Sequence, residues 1–317
     1  MKFTGSITEY LRQAQSLLMP RLKLHRTLLA SLFILAAFQL SAGQASERRM
    51  RVAILDFGDT QTGTRVAEKI TQVIVSGARE FQVIDPDQTR AAVRGSDYRG
   101  SLNMNVEDAR DLGAAIDCDF FFTGEAQTLR RSSSENPLYY ESYAVIYVVS
   151  ARTGKLISWQ RASAAQAQPE EAEKSLLAEV FVLAESTKRS MQDALRDESA
   201  ERAHAIENGA PVIEVMAEEK QIIDSTGTHP PRPYRRLKPV YPEIAAQSEI
   251  EATVDVLVDV DEKGEVGRVE ISRWAGYGLD KSVLDTVKQL HFFPAMRDGV
   301  AVPMRVLLRY NFRKPPK

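Results

Sequence analysis

The chain has little with which to build a disulfide or a metal centre. It contains one cysteine, Cys118, and four histidines in 317 residues. A single cysteine cannot close an intrachain disulfide, so in an oxidising compartment its thiol must be buried or pair with another chain. Its place just before Phe120 favours burial at the start of a core strand. The histidines that follow the leader lack ligand spacing, so no metal or other cofactor is expected: His204, His229 and His291.

The chain also lacks an excess of charge of either sign. Its 41 basic and 43 acidic residues give a formal net charge of −2. Without a broad positive field, nucleic acid is not an expected partner.

One segment has the glycine spacing of a phosphate-binding loop, Gly58 to Gly63. Such a loop also needs Lys followed by Ser or Thr, and here Thr64 and Arg65 stand in that place. We interpret the segment as a strand-to-helix turn with Thr64 as the N-cap. With no nucleophile elbow and no Cys/His pairing either, the sequence predicts that the protein is not an enzyme.

Long apolar runs are absent except near the amino end. Three basic residues precede an uncharged run, Thr27 to Ser46. Its most apolar part, Leu28 to Leu40, has the length of a signal-peptide core, whereas the whole run could span a membrane. A cleaved signal peptide and an uncleaved inner-membrane anchor both stay open, as does a start at Met1 or Met19. Either alternative exports the residues from Glu47 onward and predicts a periplasmic protein.

The pattern predicts an α+β protein in four parts: a leader with the signal or anchor (1–46), an α/β sandwich domain (47–195), a helical and proline-rich linker (196–234) and a C-terminal domain (235–317). The first domain combines short apolar strand candidates with amphipathic helices, followed by a hairpin about Gly154 and a helix from Pro169. Its motifs resemble those of CsgG-like envelope proteins: Val52 to Phe57, Phe81 to Asp85, Gly113 with Phe122 to Glu125, and Thr153 to Lys155. That resemblance implies a protein-binding or oligomerising scaffold without catalytic residues.

The C-terminal pattern is more regular. Val254, Val256, Val258 and Val260 alternate with polar positions, a turn follows at Asp261 to Gly264, and a returning strand runs from Val266 to Ile271. A helical face comes next, and then a long period-two strand. The sequence therefore predicts a ββαβ unit whose three-stranded antiparallel sheet is backed by a helix.

This unit resembles the TonB C-terminal domain along its whole length. The matching motifs are Pro239 to Pro242, Asp261 to Gly264, Phe292 to Ala295 and the final strand. The resemblance implies that an extended segment of an outer-membrane TonB-dependent receptor, or of another envelope protein, adds as a strand to the final strand. The implied contact positions are Lys238, Pro239, Val240, Tyr241, Pro242, Arg305, Val306, Leu307, Leu308, Arg309, Tyr310, Asn311 and Phe312.

Two further readings of these positions come from the residues themselves. Tyr241 and Pro242 are expected to fix the entry turn by packing. The outward arginines, Arg305, Arg309 and Arg313, would either pair with an acidic partner strand or protect the open edge from unspecific pairing.

Departures from a full energy transducer are also visible. The resemblance implies an anchor helix containing a histidine, which couples to an ExbB–ExbD motor, and a long proline-rich spacer. Here His25 precedes the apolar run, and the proline cluster is short. Two functions stay open: a TonB-family transducer or adaptor that binds outer-membrane partners, and an envelope-assembly scaffold that docks without transducing energy. The receptor, the ligand of the first domain and a homodimer through edge strands are left open.

Overall fold

The computed structural model describes residues 49–314, except 78, 135–136 and 209–227. The predicted leader with its signal or anchor segment lies outside these residues. In the part of the chain that is described, no helix is both long and apolar enough to cross a membrane. Arg49–Lys317 form one compact unit.

The N-terminal module (49–208) is built on a five-stranded mixed sheet with the order β2-β1-β3-β4-β5. Strand β1 pairs in parallel with both β2 and β3, and β3, the central strand, is followed by its antiparallel neighbours β4 and β5. The strands are β1 (Met50–Ile54), β2 (Phe81–Val83), β3 (Phe120–Arg131), β4 (Tyr139–Ser150) and β5 (Leu156–Gln166).

Helices cover both faces of this sheet, as the alternation of strand and helix patterns predicted. They are α1 (Gln61–Ser76), α2 (Pro86–Gly95), α3 (Val106–Ile116) and α4 (Pro169–Asn208). Helices α1 and α4 bury their apolar stripes, Ile70 and Val180 among them, against Phe120 and Phe122. Helices α2 and α3 pack on the opposite face, where Phe121 points. Successive phenylalanines reach opposite layers because side chains alternate along a strand.

The prediction that Thr64 is the N-cap of α1 is wrong. Thr60 caps the helix, its hydroxyl accepting a hydrogen bond of 2.9 Å from the Gly63 N–H. Gly63 therefore belongs to the first turn of the helix, where a Cβ would collide with the Phe57 carbonyl. This close approach accounts for the glycine without any phosphate. The predicted hairpin turn at Gly154 is confirmed, with φ +70°.

The thiol of Cys118 is half-buried in the turn before β3, not inside the strand as predicted. Its Sγ lies 3.7 Å from the Gly113 carbonyl oxygen. Burial raises the pKa of this thiol to about 12.

The C-terminal module (228–314) contains the predicted ββαβ unit. Its sheet has the order β13-β8-β9, all antiparallel, and α6 packs on the inner face through Leu279, Val283 and Val287. The elements are β8 (Ala252–Val260), β9 (Val266–Arg273), α6 (Leu279–Val287) and β13 (Met304–Phe312), preceded by the short α5 (Glu243–Gln247). All four predicted inward valines of β8 are buried.

A small antiparallel ribbon completes this module. Residues 228–233, inside the range predicted as a linker, pair with the segment that follows α6. The strands involved are β6 (Thr228–His229), β7 (Arg232–Pro233), β10 (Phe292–Phe293), β11 (Ala295–Arg297) and β12 (Val300–Val302).

The two modules share one hydrophobic core. The loop Trp274–Gly278, between β9 and α6, packs on β4 and β5 of the N-terminal sheet. There the Trp274 ring lies 5.5 Å from the Tyr147 ring, and Tyr277 lies 4.8 Å from Trp159. The Tyr147 hydroxyl donates to the Ala275 carbonyl at 3.1 Å. The predicted domains therefore meet in a buried aromatic junction.

Candidate partner-binding edge

The final strand, β13, lies at the edge of its sheet. It pairs along its full length with β8, from Met304 opposite Val260 to Phe312 opposite Ala252. In the described part of the chain no strand lies on its other side. The residues predicted to contact a partner, 305–312, thus form one continuous open edge.

The contacts of β8 show which backbone groups of β13 point toward the open edge. At Thr253 both the N–H and the carbonyl point toward the β9 side, where they bond the side chain of Asn103. Along a strand, the backbone N–H and C=O groups of successive residues point to opposite sides. The backbone groups of the even-numbered residues of β8 therefore point toward β13. The even-numbered residues of β13, which lie opposite them, point their own groups toward β8. The N–H and C=O groups on the open edge therefore belong to Arg305, Leu307, Arg309 and Asn311.

The opposite edge of the sheet is engaged by the N-terminal module. Asn105 forms a bridge to Arg273 of β9, and the Trp274 N–H donates to the Met104 carbonyl at 3.1 Å. Lys155 also reaches Glu270 of β9 at 3.3 Å. Strand β9 is thus engaged at its Arg273 end, whereas β13 has, among the described residues, no strand beside it from Met304 to Phe312.

The outer face of β13 carries two arginines that are already paired. Arg305 binds both carboxylate oxygens of Asp259, at 2.5 and 2.9 Å, and Arg309 binds both of Asp255, at 2.7 and 3.0 Å. The hydrogen bond to Asp259 raises the pKa of Arg305. These bidentate pairs hold β13 in register on β8. Both side chains are thus engaged within the sheet, and their contact with an acidic partner strand stays a prediction.

Apolar surface remains along the open edge. Met304 and Phe312 are buried on the inner face, as predicted, whereas Val306, Leu308 and Tyr310 between them are half-buried. On the outer face Leu307 is 42% exposed between the two arginine pairs. A strand placed here would cover apolar side chains on both faces while pairing with the backbone.

The predicted entry segment runs beside the end of this strand. The Tyr241 ring packs on Phe312, with 6.0 Å between centroids, and its hydroxyl donates to the Ile250 carbonyl at 2.5 Å. Pro242 directly precedes α5. The Tyr241 ring therefore packs, as predicted.

Other residues of the entry segment are open to solvent. Lys238 is exposed and Pro239 is half-buried. Val240 is 75% exposed, and its carbonyl accepts a hydrogen bond of 2.6 Å from the Ser282 hydroxyl. The structure thus joins the entry segment and β13 through one contact, Tyr241 on Phe312.

The remaining ionisable candidates have ordinary partners. The exposed His291 has its Nδ1 3.1 Å from a carboxylate oxygen of Glu265. Among the described residues no cluster of three or more His, Cys, Asp or Glu could hold a metal ion.

Sequence reasoning missed the residues that join the modules, above all Asn103 and Trp274. One signal for the second was present: Trp274 and Tyr277 stand among glycines at Gly276 and Gly278, a composition that suits a tight loop with aromatic contacts. Asn103 carries no such signal, because its partners are 150 and 171 residues away in sequence.

Comparison with known proteins gives matches to parts of the chain. The solution structure of the Pseudomonas aeruginosa TonB CTD is 21% identical, with a TM-score of 0.25, and the match covers 30% of this chain and 94% of that one. The hypothetical protein CT253 from Chlamydia trachomatis is 14% identical (TM-score 0.30; 43% and 96% covered). The lipoprotein GNA1162 from Neisseria meningitidis is also 14% identical (TM-score 0.29; 42% and 96% covered). No curated protein sequence matches the chain.

These comparisons do not support the CsgG-like resemblance of the N-terminal module, which stays a prediction. The family match lies in the C-terminal module and indicates a protein of the Gram-negative envelope. Residues 238–313 match the family described as the Gram-negative bacterial TonB protein C-terminal, which supports a TonB C-terminal domain in this part of the chain.

Proposed function

We propose that this protein binds an extended segment of an outer-membrane protein, a TonB-dependent receptor or another envelope protein, by strand addition to the open edge of β13. The binding takes place in the periplasm and involves no catalytic step. Backbone hydrogen bonds from Arg305, Leu307, Arg309 and Asn311 supply most of the affinity, and the flanking side chains select the sequence.

The observation that carries this proposal is the difference between the two edges of the C-terminal sheet, β9 and β13. Strand β9 is engaged at its Arg273 end by Asn105 and Met104, whereas β13 is paired along its full length with β8 and, among the described residues, has no strand on its other side. Long open edges are usually shortened, bulged or covered in soluble proteins because they attract unspecific pairing. An open edge nine residues long is the feature expected of a strand receptor.

A proline at Leu307 tests the proposal. It removes a backbone N–H that faces the open edge and leaves the hydrogen bonds to β8 in place, so it suits an edge strand. Peptides of about ten residues, copied from the periplasm-facing segments of TonB-dependent receptors, serve as probes in calorimetric titration. We expect Leu307→Pro to weaken binding about tenfold or more, because one donor is lost and the ring obstructs the incoming strand.

The matched control is Leu307→Val, which keeps the N–H and an apolar β-branched side chain. It should bind within about threefold of the wild type, and circular dichroism should show both variants folded. Equal binding by Leu307→Pro and the wild type would contradict strand addition at this edge.

A second candidate function is docking without energy transduction, in a scaffold for envelope assembly. The observation in its favour is the aromatic junction, because a folded module packs directly on the TonB-type module through Trp274. Transduction would instead require an anchored chain and a motor of the ExbB–ExbD type. N-terminal sequencing of the mature protein separates the two, since a chain that begins near Ser46 has no anchor to couple to that motor.

A further inference from the structure

Asn103 belongs to the N-terminal module, but its side chain forms hydrogen bonds with the backbone of the C-terminal sheet. It lies in the loop between α2 and α3, and its side chain meets the backbone of Thr253 at two points. The Thr253 N–H donates to Asn103 Oδ1 at 3.1 Å, and Asn103 Nδ2 donates to the Thr253 carbonyl at 2.8 Å. Nδ2 donates a second bond to the Trp274 carbonyl at 2.6 Å. An amide matches this arrangement because it offers one acceptor and two donors.

This contact completes the hydrogen-bonding ladder of β8. Strand β9 accompanies β8 only as far as Arg273, opposite Asp255, and then turns into the junction loop. The backbone of Thr253 would have no strand neighbour on that side. Asn103 takes the place of the missing strand residue, so a residue of one module finishes the sheet of the other.

Two chains of polar contacts lead from Asn103 to β13. In the first, the Thr253 hydroxyl donates to Asn311 Oδ1 at 2.8 Å. In the second, Arg273 donates to the Asn103 carbonyl at 3.1 Å and to Asp255 at 3.2 Å, and Asp255 holds Arg309.

Both chains end in the same half of β13. Arg309 and Asn311 each present backbone N–H and C=O groups to the open edge. Arg305 belongs to the other half and pairs with Asp259, which contributes to neither chain.

We propose that Asn103 is a positioning residue for the Arg309–Asn311 half of the β13 edge. Its side chain fixes the start of β8, and β8 fixes the conformation in which that half meets an incoming strand. The N-terminal module is therefore part of the binding apparatus. This inference rests on the proposed strand-addition function, and its first test does not require a partner.

Amide hydrogen exchange in the full-length chain is that test, with Asn103→Ala as the variant. Tyr310 and Phe312 donate to β8 in the half that Asn103 controls, and Met304 and Val306 donate to it in the other half. We expect exchange at Tyr310 and Phe312 to accelerate about three- to tenfold, the effect of one lost hydrogen bond, while Met304 and Val306 stay near wild-type rates. Receptor-derived peptides should bind about three- to tenfold more weakly for the same reason.

Asn105→Ala is the matched control. The Asn105 side chain caps α3 through the Asp108 N–H at 2.7 Å. Its removal destabilises the N-terminal module but leaves the contacts of Asn103, so it separates positioning from loss of stability. It should leave the relative exchange of the two halves of β13 unchanged.

Two results would overturn the inference: equal acceleration along all of β13 in Asn103→Ala, or the same half-strand pattern in Asn105→Ala. If the wild-type chain binds none of the peptides, the proposed strand-addition function is wrong. The positioning role of Asn103 is still tested in that case, because the exchange comparison needs no partner. Unchanged exchange in Asn103→Ala, with peptide binding intact in the wild type, would sink the positioning role alone.

Discussion

At the scale of single residues, the junction buries polar side-chain atoms and provides hydrogen-bond partners for those of Trp274 and Tyr147 but not for the Trp159 indole N–H. The Trp274 indole N–H donates to the Gly154 carbonyl at 3.1 Å, and the Tyr147 hydroxyl donates to Ala275. Burial raises the pKa of Tyr147 and raises that of Tyr277 to about 12. Both phenols therefore stay protonated and neutral across the physiological pH range, and they add no charge to the junction.

The thiol of Cys118 gives a prediction at this scale. With its pKa raised to about 12, the reactive thiolate at pH 8 is about 1,000-fold rarer than for an ordinary thiol of pKa near 9. We expect N-ethylmaleimide to label the native protein slowly at pH 8 and the urea-unfolded protein rapidly, followed by mass spectrometry. The native rate should climb as the pH is raised toward 12, as long as the fold persists. Similar rates in both states would show that the thiol is exposed.

At the scale of elements, regular periodicity in the sequence was enough to predict the strands. The side-chain contacts between strands could not be predicted from it. The alternating valines of β8 and the period-two pattern of β13 predicted the sheet, because burial on one face imposes that period. The ion pairs of Arg305 and Arg309 could not be predicted in the same way, although both arginines were predicted to face outward. They depend on the register between strands whose paired residues, Asp259 and Arg305, lie 46 positions apart.

The loop Trp274–Gly278 gives a prediction for an element. Gly276 has φ +74°, and a Cβ there would lie 2.5 Å from Trp159 and 2.9 Å from Tyr147. Gly276→Ala therefore combines backbone strain with a collision, and we expect it to lower the free energy of unfolding by about 3 kcal/mol. Gly299→Ala is the control: φ is +82° but nothing lies within 4 Å, so only the strain of about 1 kcal/mol applies. Equal losses in urea titrations would show that the loop does not pack on the N-terminal sheet.

At the scale of the whole molecule, the sequence predicted two domains with a linker, and the structure joins both in one unit. Composition and proline content reveal where regular structure stops, but they carry no information about which surfaces meet afterwards. The sequence pattern is equally consistent with two modules that each bury a separate core. The contacts that unite them, such as Asn103 with Thr253, link positions that no local pattern connects.

A shared core predicts shared unfolding. The chain has two tryptophans, Trp159 and Trp274, and both lie at the junction, so tryptophan fluorescence reports on the contact between the modules. Circular dichroism in the far ultraviolet reports on the helices and strands of both modules. We expect the two signals to change in one coincident transition on urea titration, because opening the junction exposes the core on which each module depends.

Gly276→Ala should lower the midpoint of both signals together, because it strains the junction on which both modules depend. Gly299→Ala should keep them coincident at a slightly lower midpoint. If fluorescence already precedes circular dichroism in the wild type, the modules are independent domains in contact. A polar chain from Asn103 could then not hold β13, since the positioning of the strand-binding edge requires a junction that stays closed for as long as the protein is folded.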